Sequence, residues 1–334
     1  MDDPADGQAF AATLLAALAP LFNACASAPP DEAAPCSFPG ERAPGSRAGR
    51  VAVPRATLHY EVEGSGPTLV LVHGSADHRL FHPVLGRLAD RFRVVYYDQR
   101  GYGLTTSDAD ERPALEDDVA DLEALRVELG VESVHLLAMS NGGPIAIDYA
   151  LANPTRVRRL VLLDTYADNN ARIALAYPLV REVLADEGRE AAVEAIEARR
   201  SRDPLQRDID AFLVTPHTHH ESALPREWVE YWFRSGCMTD VGPRPWRSPR
   251  DYARLDDLAR LDVPTLVVCG AKDRVTPLEH SRDMESRLPH GRLVVLEGAG
   301  HLAFAERPDE FARIVHEFLL GEADGPITQG EEPR

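Results

Sequence analysis

Six short runs of mostly apolar residues constrain the fold of this chain more than any other feature. They are Thr68–Val72, Arg93–Tyr97, Ser133–Leu137, Arg159–Leu163, Thr265–Cys269 and Arg292–Leu296. Runs of this length without polar alternation suit strands covered on both faces, as in a parallel sheet. Amphipathic stretches lie between them. Leu115, Val119, Leu122, Leu125 and Leu129 share one helical face, and Gly130 follows as a stop signal. Phe311, Ile314, Val315, Phe318 and Leu319 do the same, with Pro308 placed for a first helical turn. Strand-helix alternation predicts an α/β fold with a doubly wound, mostly parallel sheet. Thr57–Val62 alternates instead, which predicts an antiparallel edge strand before the parallel core.

The rhythm breaks twice. From residue 165 to 262 there are helical patterns and loops but no buried strand, which predicts a helical cap inserted between core segments 51–164 and 263–320. Residues 1–50 form an N-terminal extension, with an apolar stretch from Ala9 to Cys25 and then a Pro/Ala/Gly-rich linker. That stretch is too short and too alanine-rich for a membrane span. It has the look of a secretory h-region, but Asp2, Asp3 and Asp6 stand where a signal peptide carries positive charge. A cytoplasmic location is therefore the expectation, with export or lipid anchoring the alternative. Residues 321–334 are expected to form a polar, flexible tail. A net charge of −18 at pH 7 repels phosphate backbones and anionic lipid, so nucleic acid is excluded as an expected partner. Cys25, Cys36, Cys237 and Cys269 show no zinc spacing, and neither a metal nor a cofactor is expected.

The chemistry concentrates at strand ends. Leu136–Met139 runs straight into Ser140, Asn141, Gly142 and Gly143, and a helix pattern follows. A serine at so sharp a strand-to-helix turn needs small neighbours two positions before and after it. Ala138 and Gly142 supply them. The first parallel strand ends in His73-Gly74-Ser75, and the second leads into Asp98-Gln-Arg100-Gly-Tyr-Gly103. Two late strands run into loops bearing Asp273 and, after Gly298-Ala-Gly300, His301. This combination resembles the α/β-hydrolase superfamily over about residues 55–320, with Ala138 standing where its elbow motif usually has glycine. The resemblance implies Ser140 as nucleophile, His301 as base and Asp273 as the acid that orients it, in the chain order of that fold. It also implies an oxyanion hole from the backbone N–H groups of Ser75 and Asn141. His73, Asp98 and Arg100 are expected to be structural, and Asp164, after another strand, is a substitute acid.

The cap holds all three tryptophans, and Trp228, Tyr231 and Trp232 fall on one helical face. They are candidates for binding an apolar or aromatic group, or else for the cap's own core. His217, His219 and His220 lack a matching carboxylate or cysteine set and read as a polar loop. Gln99-Arg100-Gly101 is similar to the corresponding loop of proline iminopeptidases, although their His-Gly-Gly-Pro-Gly turn is absent. The expectation is a serine hydrolase cleaving an ester or related acyl bond of a small, partly apolar substrate. Carbon–carbon bond hydrolysis and aminopeptidase activity are alternatives. A slow or non-catalytic ligand-binding member of the fold is the rival of another class. Oligomeric state is not legible.

Overall fold

A computed structural model describes residues 46–74, 77–107, 114–185, 224 and 252–321. The strands are β1 (Arg47–Val53), β2 (Ala56–Glu63), β3 (Thr68–Val72), β4 (Arg93–Tyr97), β5 (Thr106–Ser107), β6 (Val134–Met139), β7 (Val157–Leu163), β8 (Thr265–Gly270) and β9 (Gly291–Leu296). They form one sheet in the order β1-β2-β4-β3-β6-β7-β8-β9, with β5 paired to β2. Every pairing from β4 to β9 is parallel, while β1, β2 and β5 pair antiparallel. The expected doubly wound, mostly parallel sheet is therefore present.

Burial on both faces explains five of the six apolar runs; the sixth, in the edge strand β9, has only Leu296 buried. In β3, Leu69 and Leu71 enter one core and Val70 and Val72 the other, because successive side chains point to opposite faces. The first core packs against helix Pro308–Leu320; the second packs against helices Leu115–Glu128 and Gly142–Ala152. We number the helices α1 (Leu115–Glu128), α2 (Gly142–Ala152), α3 (Asn169–Ala185), α4 (Leu278–Arg287), α5 (Ala303–Glu306) and α6 (Pro308–Leu320). Phe311, Ile314, Val315, Phe318 and Leu319 of α6 are all buried. Each such side chain contributes about 1.5–3 kcal/mol when fully buried. Helix propensities differ by only about 0.7 kcal/mol per ordinary residue, so packing holds this helix in place. Pro308 opens it, and Gly321 closes it in the left-handed conformation at φ 77°.

The expected edge strand is not at the edge. β1 lies outside β2 and begins at Arg47, within the segment read as an extension. Of β1 only Val51 is buried, so its sequence carries almost no apolar signal. Between β7 and β8 the chain makes a long excursion whose two ends are joined. Asp168 bridges Ala253, the Asn169 N–H donates to the Tyr252 carbonyl (2.9 Å), and the Arg254 N–H donates to the Ala167 carbonyl (2.7 Å). The excursion leaves and re-enters beside the C-terminal end of β7. Apart from α3 and Leu224, the 169–251 part of the expected cap lies outside the described residues. Among the described residues no helix is long and apolar enough to cross a membrane.

Candidate active site

Ser140 stands between β6 and α2 with φ 50°, a left-handed value that a non-glycine residue adopts at a cost of order 1–3 kcal/mol. The surroundings hold it there. Its N–H donates to the Leu163 carbonyl of β7 (3.1 Å), and its carbonyl accepts from the Gly143 N–H (3.0 Å) and the Thr165 hydroxyl. Two glycines make the turn sterically feasible. A methyl at Gly142 would stand 2.4 Å from the Val72 carbonyl oxygen, and one at Gly74 would stand 2.9 Å from Ser140 Cβ. The β3 loop and the elbow thus press backbone against backbone, and Ala138, buried beside Val72, fits the same interval. The serine side chain stays partly exposed at the N-terminus of α2, where backbone N–H groups and the helix dipole favour negative charge.

Three strand ends bring the predicted side chains together. His301 Nε2 lies 3.1 Å from Ser140 Oγ, and His301 Nδ1 lies 2.9 Å from Asp273 Oδ2. The residues are separated by up to 161 positions in the chain, yet they form one hydrogen-bonded line. His301 and Asp273 are buried. The Asp273 carboxylate accepts further bonds from the N–H groups of Val275 (2.7 Å) and Thr276 (2.9 Å) and from the Thr276 hydroxyl. Burial works against its charge. His301 and the bonds from Thr276 outweigh that and hold the carboxyl below its ordinary range.

Asp164, the substitute acid in the sequence, sits close by in a different role. It closes β7 with φ 43° and accepts the Gly270 N–H (2.9 Å) and the Ala303 N–H (3.2 Å). It thereby ties the end of β8 to the start of α5. Burial and the neighbouring Asp273 push its carboxyl well above the ordinary range. Two buried carboxyls this close do not both ionise, and the one against the imidazole keeps the charge. The Cys269 sulfur lies within 4.8 Å of both carboxylates, and its thiol is pushed up by burial and by the same two aspartates.

The residues expected to be structural are placed accordingly. The Gln99 N–H donates to His73 Nε2 (3.1 Å), and the Gln99 side chain donates to the His73 carbonyl (2.6 Å). His73 is fully buried, which lowers its pKa to about 4. Arg100 forms a bidentate pair with Asp121 (2.6 and 2.7 Å) and donates to the Pro54 carbonyl (2.7 Å). Asn141 follows Ser140 at the start of α2, and its side-chain oxygen accepts from the Tyr166 hydroxyl (2.7 Å). Ser75, Trp228, Tyr231, Trp232, His217, His219 and His220 lie outside the described residues. The sequence reading missed Thr276, whose spacing from Asp273 matches a side-chain-capped turn, and Thr165 and Tyr166, which had no local signal.

A strained serine between a parallel strand and a helix, at the carboxyl edge of this strand order, defines the α/β-hydrolase class. The family model described as alpha/beta hydrolase fold matches residues 67–308, and the chain belongs to that family. A proline iminopeptidase of Lactobacillus helveticus is 31% identical over 279 residues, covering 78% of this chain and 93% of that protein. The crystal structure of a proline iminopeptidase from Mycobacterium smegmatis superposes with a TM-score of 0.65 at 21% identity, covering 82% of this chain and 98% of the other. A thermophilic esterase from Thermogutta terrifontis gives a TM-score of 0.55 at 26% identity, with coverage of 82% and 98%. The protein is a hydrolase of the α/β fold.

Proposed function

We propose that this protein is a serine hydrolase that cleaves an ester or related acyl bond of a small, partly apolar molecule through an acyl-enzyme. The observation that carries the proposal is the line from Ser140 Oγ to His301 Nε2 (3.1 Å) and from His301 Nδ1 to Asp273 Oδ2 (2.9 Å). Ser140 attacks the acyl carbon while His301 Nε2 takes its proton, and His301 returns that proton to the leaving group. Asp273 keeps Nδ1 protonated, so that Nε2 faces the serine as an acceptor, and it stabilises the imidazolium. The N–H groups of Asn141 and Ser75 receive the developing oxyanion. Each such donor typically lowers the barrier by about 2.7–4 kcal/mol. Water then repeats the cycle on the acyl-enzyme.

Trp228, Tyr231 and Trp232 are proposed to face the substrate from the cap and to favour an apolar acyl group. A second reading, an aminopeptidase releasing N-terminal proline, is favoured by the 31% identity to a protein of that name. The missing His-Gly-Gly-Pro-Gly turn weighs against it. The experiment is a rate comparison between short-chain p-nitrophenyl esters and proline p-nitroanilide, with Ser140→Ala as control. Ester turnover that vanishes in Ser140→Ala, with little anilide cleavage, is expected. Preferred cleavage of the anilide would move the assignment to the peptidase. Loss of neither activity in Ser140→Ala would end both readings.

A further inference from the structure

The cysteines show no zinc spacing, but the fold gathers four potential ligands from two separate segments of the chain, His59 and Glu61 on β2 and His78 and His82 after β3. His59 and Glu61 are two apart on β2 and therefore point to the same face of the sheet. His78 and His82 are four apart across consecutive helical turns, which also places them on one side. All four side chains are buried. Their donor atoms converge on the Glu61 carboxylate. His59 Nε2 lies 3.4 Å and His78 Nε2 3.6 Å from Oε1, and His82 Nε2 lies 3.9 Å from Oε2. Ligands at about 2.0–2.1 Å around a tetrahedral zinc ion stand roughly 3.3–3.4 Å from one another. Glu61, His78 and His82 place donor atoms within 4.8 Å of one another, and His59 stands beside the same carboxylate, so closing all four on an ion draws the side chains inward around Glu61.

We propose that His59, Glu61, His78 and His82 form a structural site for one divalent metal ion of the zinc class. The surroundings fit that assignment. His78 presents its other ring nitrogen, Nδ1, to Asp98 Oδ1 at 2.7 Å. A carboxylate behind a histidine fixes the tautomer and aims Nε2 at a metal, the arrangement found around most ligating histidines. Asp98 is itself held by the N–H groups of His78 (2.9 Å) and Leu104 (2.7 Å). Glu61 and Asp98 are both buried carboxylates, and a dication balances the pair. The neighbouring Arg79 is paired with Asp77 and leaves that balance unchanged. The Ser46 hydroxyl donates to Glu61 Oε2 at 3.2 Å and orients the carboxylate. Nitrogen-rich ligation with one carboxylate suits zinc and its late first-row neighbours, not calcium or magnesium.

Four protein ligands close the coordination sphere, so the ion is a brace and not a Lewis acid for substrate. What it braces is the loop after β3. His78 and His82 follow His73-Gly74-Ser75 directly, and β2 anchors the other side. The ion would thus pin the segment that carries one proposed oxyanion donor.

The test uses the full-length protein stripped with EDTA and titrated with cobalt(II) and zinc chloride. One equivalent of cobalt with intense tetrahedral d–d bands, displaced by zinc, is expected, along with a zinc-dependent rise in melting temperature. His59→Gln and His82→Gln should each abolish the cobalt bands. Asp98→Asn should weaken zinc binding about 10–100-fold, as loss of an outer-shell partner does. Two controls keep the assignment specific: His301→Ala, and the combined His217→Ala, His219→Ala and His220→Ala variant, should both retain the bands. Absence of tetrahedral cobalt bands in the wild-type protein would overturn the proposal. So would bands that survive in both ligand variants or vanish in either control. Should a ligand variant fail to fold, the wild-type spectrum and the two controls decide the matter alone.

Discussion

Replacing Asp273 by asparagine separates orientation from shape. The carboxylate makes two kinds of bond. Oδ1 accepts the N–H groups of Val275 and Thr276, and Oδ2 faces His301 Nδ1 (2.9 Å) and the Thr276 hydroxyl. An asparagine oxygen preserves the first pair, so the loop after β8 keeps its path. Its amide then faces Nδ1 with N–H groups. The imidazole answers by moving its proton to Nε2, which lies 3.1 Å from Ser140 Oγ and is the acceptor in the proposed mechanism. The same substitution in a serine protease triad lowers kcat about 10⁴-fold for this reason. At 1.36 kcal/mol per factor of ten, the barrier rises by about 4–5.5 kcal/mol for a fall of about 10³–10⁴-fold. The assay is the burst rate with p-nitrophenyl acetate at neutral pH, with near-ultraviolet circular dichroism to establish an unchanged fold. Asp164→Asn is the companion variant, and its burst rate should exceed that of Asp273→Asn by at least tenfold. A rate for Asp273→Asn within tenfold of wild type, with collapse in Asp164→Asn instead, would refute the reasoning and transfer the acid role to Asp164.

Gly142→Ala forces a methyl to 2.4 Å from the Val72 carbonyl oxygen, a backbone atom inside the sheet, so overpacking of at least about 1–3 kcal/mol is expected. Thermal melts and ester turnover should both fall; unchanged values would contradict the tight elbow. Arg100→Met removes both bonds from the guanidinium to the buried Asp121 carboxylate. Breaking a buried pair costs about 3–5 kcal/mol. For a chain of this size that lowers the melting temperature on the order of 10 °C, read by calorimetry. Acid should also destabilise the fold earlier than carboxylates alone would. Burial lowers His73, His135 and His280 from 6.5 to about 4, so the unfolded chain binds more protons than the folded one between those values. Their contribution is complete above about pH 6.5 and is lost as pH falls toward 4. It is on the order of 3 kcal/mol for the fully buried His73. Urea midpoints that stay flat from pH 7 to pH 5 would contradict this.

What the sequence reveals follows the physics of burial. β3 and β4 coincide with their apolar runs because both faces are covered, so every residue in them is constrained. β1 and β5 escape notice because mostly exposed, short or small-residue strands leave no hydrophobic pattern. For the same reason β2 reads as an edge when it is an interior strand. Ser140, Asp273 and His301 could be singled out because each lies within five residues after the end of a strand and their chain order is characteristic of the fold. The division of charge between Asp164 and Asp273 is not legible, since it depends on which carboxyl meets the imidazole. Nor is the His59, Glu61, His78 and His82 cluster. It arises only because β2 lies beside β4, and β4 beside β3, so that a strand pair and a helical pair meet across the sheet.

Everything proposed for catalysis requires a hydroxyl at position 140 made nucleophilic by its neighbours. Exposure of the folded protein to a fluorophosphonate, followed by intact-mass and peptide mapping, tests this most directly. A single adduct on Ser140, absent in Ser140→Ala and formed far more slowly in His301→Ala, is predicted. A folded protein that remains unlabelled at Ser140, or is labelled equally fast without His301, would contradict the account.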